Sequence, residues 1–225
     1  MIAMAYPFVD QAKLYEQIVI SHDPVYADMI TATEIVRQFI IQHKLILYGG
    51  TCLDYALRLH GDKIYPDGWI PDLDFYSPNS IEHAYELADI LYAAGYHDVR
   101  AISALHLGTM KVDLIDNHYV ADITHRDQSI FDKIPYIMFD GVRLVHPNYQ
   151  RIDIHSALAF PYDEPPREVI FNRMKKDIER FNKLSKYYAI ELSAKPLPLR
   201  KINIPVVKCD YILCGFAALE LLRAA

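Results

Sequence analysis

The sequence has few cysteines, no long apolar run and no overall excess of positive charge, and each shortage excludes a class of protein. Its 225 residues include three cysteines, too few and too scattered for a disulfide framework or a zinc site, and this fits a reducing compartment. No apolar run approaches the roughly 18 residues that cross a bilayer, so we expect no membrane span. The N-terminal residues lack the pattern of a signal peptide. The ten histidines show no tight spacing of metal ligands, and we expect structural roles for them.

Charge is distributed unevenly along the chain, whose formal net charge is −6. Residues 1–160 hold 11 basic and 21 acidic side chains, a net of −10, whereas residues 161–225 hold 12 and 8, a net of +4. A chain that binds long RNA tightly by itself is usually more basic. Any contact with RNA is therefore expected to be local, or shared with another subunit.

A glycine turn lies between a predicted strand and a predicted helix. Leu45–Tyr48 has the apolar character of a short buried strand, and Gly49-Gly50-Thr51 leads from it into a helix predicted over Cys52–His60. Backbone N–H groups at such a turn bind phosphate groups. Gly49, Gly50 and Thr51 are therefore predicted to hold the phosphates of a nucleotide.

Asp72 and Asp74 follow on a second predicted strand, which a loop over residues 61–69 separates from that helix. Two carboxylates two residues apart on a strand point to the same face, so both can hold one hard cation or two close together. Magnesium is bound through one or two carboxylates together with substrate phosphates. Together, the glycine turn and the pair of carboxylates predict an enzyme that handles a nucleoside triphosphate. Each alone also fits a plainer interpretation, a tight turn or an exposed strand end.

Transfer chemistry that uses two metal ions requires a third carboxylate on a neighbouring strand. Residues 110–115 and 118–124 predict a hairpin that carries Asp113, Asp116 and Asp122. Asp116 fits the turn itself. Asp122, on the outgoing strand, is favoured over Asp113 as the third ligand, and the aspartate that is not used is expected to be an exposed strand residue.

The remaining patterns complete a fold of the α/β (α+β) class, a mixed sheet with flanking helices. Further helices are predicted over 25–43, after Asn79, over 147–159 and over 167–188. A further strand is predicted over 98–104, and a second hairpin over 136–145 with Asp140-Gly141 at its turn.

Three parts are predicted along the chain: a catalytic domain over 1–145, a mainly helical segment over 146–195, and a further unit that starts over 206–225. The last part repeats the order of strand, glycine turn and apolar helix seen over residues 45–58. It is predicted to be the start of a degenerate second copy, and two unrelated strand–turn–helix units explain it equally well.

The order of strand, Gly-Gly, Asp-x-Asp and a later aspartate resembles the nucleotidyltransferase superfamily that includes DNA polymerase beta and the poly(A) polymerases. The resemblance covers about residues 45–124. It implies the polymerase beta-like fold, ATP as substrate, two Mg²⁺ or Mn²⁺ ions, and Asp72, Asp74 and Asp122 as catalytic metal ligands. The 21 residues between Gly50 and Asp72 exceed the family's usual gap, and we interpret the excess as an inserted loop.

Residues 146–188 are similar to the poly(A) polymerases of large cytoplasmic DNA viruses, of the poxvirus and mimivirus type. The similarity lies in His146-Pro-Asn-Tyr-Gln-Arg-Ile-Asp-Ile-His155 and in a basic helix beyond it. Arg173, Lys176 and Arg180 recur there on one helical face. That face is predicted to meet the triphosphate or the RNA backbone, with Arg173 and Lys176 as nucleotide ligands, and an exposed helix with ordinary ion pairs is the alternative.

These resemblances imply template-independent transfer of AMP from ATP to an RNA 3′ end, by a viral protein of the host cytoplasm or the virion. The implied partners are the RNA 3′ end, ATP, and either a second copy of the chain or a processivity subunit. The viral family carries a degenerate second domain; if residues 206–225 begin such a copy, the chain is a fragment or a reduced version. Two alternatives stay open: a nucleotidyltransferase of the bacterial defence-toxin type that modifies tRNA or protein, and an inactive scaffold that binds RNA or a partner.

Overall fold

The computed structural model describes residues 24–70, 72–114, 118–159 and 170–189. By its contacts the chain divides into two units, residues 1–189 and 190–225, and every described residue lies in the first. The second copy predicted to start over 206–225 lies outside the described residues, and so does the turn at Asp116. The domain boundary predicted at residue 145 stays a prediction.

A seven-stranded mixed sheet forms the centre of the first unit. Its strands in chain order are β1 (Ile46–Tyr48), β2 (Leu73–Ser77), β3 (Arg100–Ser103), β4 (Thr109–Asp113), β5 (Tyr119–His125), β6 (Tyr136–Phe139) and β7 (Val142–Val145). Their spatial order is β3-β4-β5-β2-β1-β7-β6. The pairs β1–β7 and β2–β5 are parallel, and the other neighbours are antiparallel. The predicted fold class is confirmed.

Helices flank this sheet within the described residues. They are α1 (Pro24–Gln42), α2 (Gly49–Arg58), α3 (Ser80–Ala93), the single turn α4 (Gln128–Phe131), α5 (Pro147–Ala159) and α6 (Ile170–Tyr187). None of these described helices is long and apolar enough to cross a membrane.

Two boundaries near the aspartates differ from the sequence prediction. The helix predicted from Cys52 begins three residues earlier, at Gly49, because the glycine turn is itself the first turn of α2. Asp72 was predicted to lie on a strand, but β2 begins at Leu73 and Asp72 directly precedes it. Pro71 has no N–H group to donate to a ladder, so strand pairing begins beyond it.

Two predicted turns can be compared with the structure. The Asp140-Gly141 turn between β6 and β7 is confirmed, and both residues have positive φ angles, 44° and 81°, as a type I′ hairpin turn requires. Asn79 precedes α3 as predicted, but its side chain makes no capping hydrogen bond. Its backbone N–H instead donates to Oγ of Ser77 at 2.9 Å.

The two faces of the sheet have different neighbours. Phe75 in β2 is fully buried, and its ring centroid lies 6.4 Å from that of Phe39 in α1. Because side chains alternate along a strand, Asp74 and Tyr76 point to the other face, where Tyr76 stacks on Tyr48 with centroids 4.2 Å apart. The sheet therefore separates an apolar core beside α1 from a polar face that carries the aspartates.

Candidate active site

Three carboxylates converge on the polar face of the sheet. Asp74 in β2 lies directly opposite Asp122 in β5, and Asp72 lies two residues before Asp74. One carboxylate oxygen from each of the three lies within 4.8 Å of the other two. Because Mg²⁺ and Mn²⁺ prefer oxygen ligands, the donor chemistry of this cluster fits the predicted metal ions.

The cluster concentrates negative charge at one exposed position, Asp72, and two half-buried ones, Asp74 and Asp122. Burial, followed by the charges of Asp72 and Asp122, raises the pKa of Asp74 to about 8. Burial, followed by the charge of Asp122, also raises the pKa of Asp72. Both shifts arise because low dielectric and like charges disfavour the ionised form. A divalent cation among the three carboxylates would relieve this repulsion.

Lys111 contacts the third carboxylate and was not identified from the sequence. It lies opposite Asp122 in the β4–β5 pairing, and its Nζ atom donates to both carboxylate oxygens at 2.8 and 2.9 Å. Lys111 therefore balances part of the negative charge of the cluster. The predicted hairpin contained the signal for it, because a two-residue turn at residues 116–117 places residues 111 and 122 opposite each other.

Asp113, the alternative third ligand, does not belong to the converging set. Its oxygens accept hydrogen bonds from Nε of Arg100 at 3.2 Å and from Nη2 of Arg100 at 2.5 Å. The expectation that the aspartate outside the site would be exposed is wrong, since Asp113 is 0% exposed. Its burial is explained by the guanidinium of Arg100, which supplies an opposite charge and two donors.

The glycine turn brings the start of α2 against the carboxylates. Gly49 has a φ angle of +73°, and a Cβ atom there would lie 2.1 Å from Oδ2 of Asp74. A Cβ atom on Gly50 would lie 2.2 Å from the hydroxyl of Tyr65 and 2.7 Å from Nη2 of Arg180. The positive end of the helix dipole, with N–H groups that have no partner within the helix, thus lies beside the aspartates.

Some polar groups of the turn already have partners within the protein. The N–H of Gly49 donates to Oε1 of Gln150 at 3.1 Å, and Gln150 is itself buried. The hydroxyl of Thr51 donates to the backbone carbonyl of Asp72 at 3.0 Å. The Thr51 side chain thus fixes the entry to β2.

The helix α6 places basic side chains over the glycine turn. Nη2 of Arg180 donates to the hydroxyl of Tyr65 at 3.0 Å, whereas Nε of Arg180 is buried and has no hydrogen-bond partner among the described residues. Arg173 and Arg180 flank the buried Asp177, at 3.8 and 3.9 Å. Partial burial, followed by the charge of Arg180, lowers the pKa of Lys176. The predicted basic face therefore includes both ion-paired and unsatisfied groups.

An open cleft of about 630 Å³ connects these elements. Its lining includes Gly49, Asp122, Gln150, Arg173 and Arg180. This volume lies in the range of small-molecule sites. The structure thus brings two of the predicted basic residues, Arg173 and Arg180, to the same cleft as the glycine turn and the third aspartate, whereas Lys176 lies outside its lining.

The loop over residues 59–69, of which residues 61–69 were predicted as an insertion, is fixed to two helices. The buried Asp54 of α2 accepts hydrogen bonds from the N–H groups of Ile64 at 2.6 Å and Tyr65 at 2.9 Å. Nζ of Lys183 in α6 donates to Asp62 at 2.7 Å. These contacts hold the hydroxyl of Tyr65 against Arg180. Tyr65 belongs to no sequence motif, and Gln150 lies within the motif His146–His155 but was not singled out there, so sequence reasoning missed both.

Comparison with known proteins gives a consistent result. The sequence model of a family described as poly(A) polymerase catalytic subunit matches residues 34–164. A protein of African swine fever virus, isolate Tick/Malawi/Lil 20-1/1983, provisionally named a poly(A) polymerase catalytic subunit, is 43% identical over 208 residues. The match covers 92% of this chain and 44% of that protein. A protein of Acanthamoeba polyphaga mimivirus with the same name is 30% identical over 171 residues, covering 75% of this chain and 28% of its own.

Solved structures include a similar fold. The crystal structure of the Megavirus polyadenylate synthase matches with a TM-score of 0.75 and 25% sequence identity, covering 89% of this chain and 41% of that one. The chain thus spans less than half the length of each of these relatives.

Proposed function

The chain belongs to the poly(A) polymerase catalytic subunit family, and from this premise we propose that it adds AMP from ATP to the 3′ end of RNA without a template. The observation that carries the proposal is the convergence of Asp72, Asp74 and Asp122 beside the glycine turn of α2. The names of the relatives support the same activity.

Asp72, Asp74 and Asp122 are the residues that would hold two divalent cations, Mg²⁺ or Mn²⁺. Cations bound there lower the pKa of the attacking hydroxyl and neutralise charge on the phosphates. In the reaction, the RNA 3′-oxygen forms a bond to the α-phosphorus, the bond from that phosphorus to the bridging β-phosphate oxygen breaks, and pyrophosphate leaves. The cluster's all-oxygen ligands and its raised pKa values support this assignment.

The chain's own contribution to nucleotide binding is positioning and charge. The backbone N–H groups of Gly50 and Thr51 lie at the positive end of α2 and suit the triphosphate. Arg180 adjoins Gly50, and its guanidinium suits phosphate oxygens because it offers several donors in a fixed plane. Arg173 lines the same cleft, and Lys176 adds positive charge on the same helix.

Partners and location follow from the same premise. RNA is the acceptor, and the net charge of +4 over residues 161–225 supports a local contact with its backbone. The relatives are named catalytic subunits, which supports a partner subunit over a homodimer. Their viral sources support a place in the host cytoplasm or the virion.

A primer-extension assay tests the proposal. The protein is incubated with Mg²⁺ or Mn²⁺, a labelled oligo(A) or tRNA, and each of the four nucleoside triphosphates in turn. Extension of oligo(A) with ATP is expected, and the double variant Asp72→Asn/Asp74→Asn should abolish it. Labelling of tRNA without extension of oligo(A) would favour the defence-toxin alternative, and no transfer to any acceptor would favour the inactive scaffold.

A further inference from the structure

Two histidines and a glutamate meet on the side of the sheet opposite the aspartates. His43 directly follows α1, while His83 and Glu86 lie one turn apart in α3. One ligand atom of each lies within 4.8 Å of the other two, and Nε2 of His43 is 3.3 Å from Oε1 of Glu86. The histidines are 40 positions apart in the chain, so their spacing did not indicate a metal site.

The surroundings hold both imidazole rings in place. Nδ1 of His83 is 2.7 Å from Oγ of Ser77, a fully buried residue of β2. The ring of Phe39 lies 4.1 Å from that of His43 and 5.6 Å from that of His83, measured between centroids. Metal-binding histidines are commonly oriented by a hydrogen bond at the ring nitrogen that does not bind the metal. The contact with Ser77 therefore leaves Nε2 of His83 for a cation.

The donor set determines the class of cation. Two imidazole nitrogens and one carboxylate oxygen suit Zn²⁺ and similar divalent transition metals, whereas Mg²⁺ prefers oxygen alone. The side chains of His43 and Glu86 are 27% and 48% exposed, so solvent can supply a fourth ligand.

We propose that His43, His83 and Glu86 form a binding site for one zinc-class divalent cation, separate from the aspartate cluster. The cation joins the end of α1 to α3 and stabilises the packing of both helices on the sheet, because it binds the folded chain, in which the three ligands are adjacent. The site serves stability and does not depend on the proposed transfer activity.

Calorimetric titration with Zn²⁺ tests the site, in a background where the aspartates cannot compete. The double variant Asp72→Asn/Asp74→Asn is expected to bind one equivalent of Zn²⁺, with excess Mg²⁺ present, and to unfold at a higher temperature when Zn²⁺ is added. Adding His43→Gln or His83→Gln to this background should weaken binding by at least about tenfold and remove the thermal shift. Co²⁺ should give the absorption spectrum of a nitrogen-ligated site in the Asp72→Asn/Asp74→Asn protein, and this spectrum should be lost when His43→Gln or His83→Gln is added.

Two further variants keep the result interpretable. Glu86→Gln changes an exposed ligand without disturbing the core, so its loss of affinity would support the site even if His83→Gln folds poorly. His97→Gln replaces an exposed histidine just beyond the same helix and should bind Zn²⁺ like the parent. The proposal is overturned if the background variant binds no Zn²⁺, or if the His43 and Glu86 variants bind it as tightly as His97→Gln.

Discussion

Gly49 lies so close to Asp74 that a Cβ atom at residue 49 would stand 2.1 Å from the Oδ2 atom. Gly49 also has a φ angle of +73°, which residues with a Cβ adopt only with strain. Gly49→Ala is therefore expected to displace Asp74 or the start of α2. It should abolish AMP transfer and lower the free energy of unfolding by more than the roughly 1–2 kcal/mol of left-handed strain alone. Primer extension and denaturant unfolding measure the two effects.

Gly61→Ala is the matched control for this prediction. Gly61 has a φ angle of +74°, and a Cβ atom there would meet nothing within 4 Å. The variant carries the same backbone strain without the collision, so it should lose some stability and keep transfer activity. Equal activity of the two alanine variants would show that the contact between Gly49 and Asp74 is unimportant for the reaction.

The third carboxylate can be tested by comparing Asp122→Asn with Asp113→Asn. Asp122 converges with Asp72 and Asp74, so its loss should reduce transfer by more than about 100-fold. Changing a residue that only contacts a metal ligand usually costs less than this. Asp113 is buried against Arg100, so its variant should unfold at a lower temperature and retain most of its activity. The opposite pattern, with transfer lost only in Asp113→Asn, would reverse the assignment.

Features that depend on local sequence were predicted well. The helix predicted from Pro147 to about Ala159 has those bounds in the structure, because proline fixes the φ angle of a first helical residue. The Asp140-Gly141 turn is confirmed because its positive φ angles suit these two residue types. The predicted hairpin also places Lys111 opposite Asp122, as the structure has them, although this contact was not among the predictions.

Contacts that depend on the packing of elements far apart in the chain could not be predicted. Gln150 reaches Gly49 across 101 residues of chain, and Arg180 reaches Tyr65 across 115. Each contact exists only because α5, α6 and the loop over 59–69 pack around α2. No periodicity or motif in one sequence specifies such packing. The pattern of polar and apolar residues identifies the buried face of a helix or strand, but it does not identify the element that packs against that face.

The aspartate cluster predicts an unusual dependence of stability on pH when no divalent cation is present. The pKa of Asp74 is raised to about 8, against an ordinary value near 4 in the unfolded chain. Between those values the folded protein keeps a proton that the unfolded chain has lost, so stability should fall as pH rises from about 4 to about 8. In EDTA, Asp74→Asn should therefore be more stable than the wild type at pH 8, although it is inactive.

Urea unfolding at several pH values measures this difference. The stability curves of Asp74→Asn and wild type should approach each other as the pH falls below about 4, where Asp74 becomes protonated in both the folded and the unfolded state. Added Mg²⁺ should raise the stability of the wild type alone at pH 8. Parallel curves across the whole range would contradict the assigned charge repulsion.

Tyr65 is expected to position Arg180 for the nucleotide. Its hydroxyl accepts a hydrogen bond from Nη2 of Arg180 at 3.0 Å, and hydrogen bonds to charged groups contribute about 1.5–3 kcal/mol. Tyr65→Phe should therefore raise the KM for ATP roughly tenfold with a smaller change in kcat. Tyr187→Phe, which removes a hydroxyl that hydrogen-bonds Lys186 and Asp62 rather than Arg180, should leave both constants nearly unchanged. A loss confined to kcat in Tyr65→Phe would argue against this positioning role.

The contact between Lys183 and Asp62 is expected to hold α6 on the loop over 59–69 in a manner that depends on pH. The hydrogen bond from Lys183, followed by one from the N–H of Lys63, lowers the pKa of Asp62 to about 2. Because the folded pKa lies below the unfolded one, the contribution of Asp62 to stability is present above about pH 4 and is lost as pH falls toward 2. Lys183→Met should remove most of this dependence and loosen α6.

Hydrogen exchange of the α6 amides, followed from pH 5 down to pH 2, measures the effect against the intrinsic rate at each pH. In the wild type, protection of α6 should decline across this range, whereas in Lys183→Met it should be lower by up to about fivefold at pH 5 and should change little with pH, since a partly exposed ion pair contributes about 0.2–1 kcal/mol. Lys186→Met removes a neighbouring lysine that contacts Tyr187 and should behave like the wild type. If Lys183→Met keeps full protection at pH 5, α6 is held by its apolar contacts, such as the buried Leu184, and the ion pair is incidental.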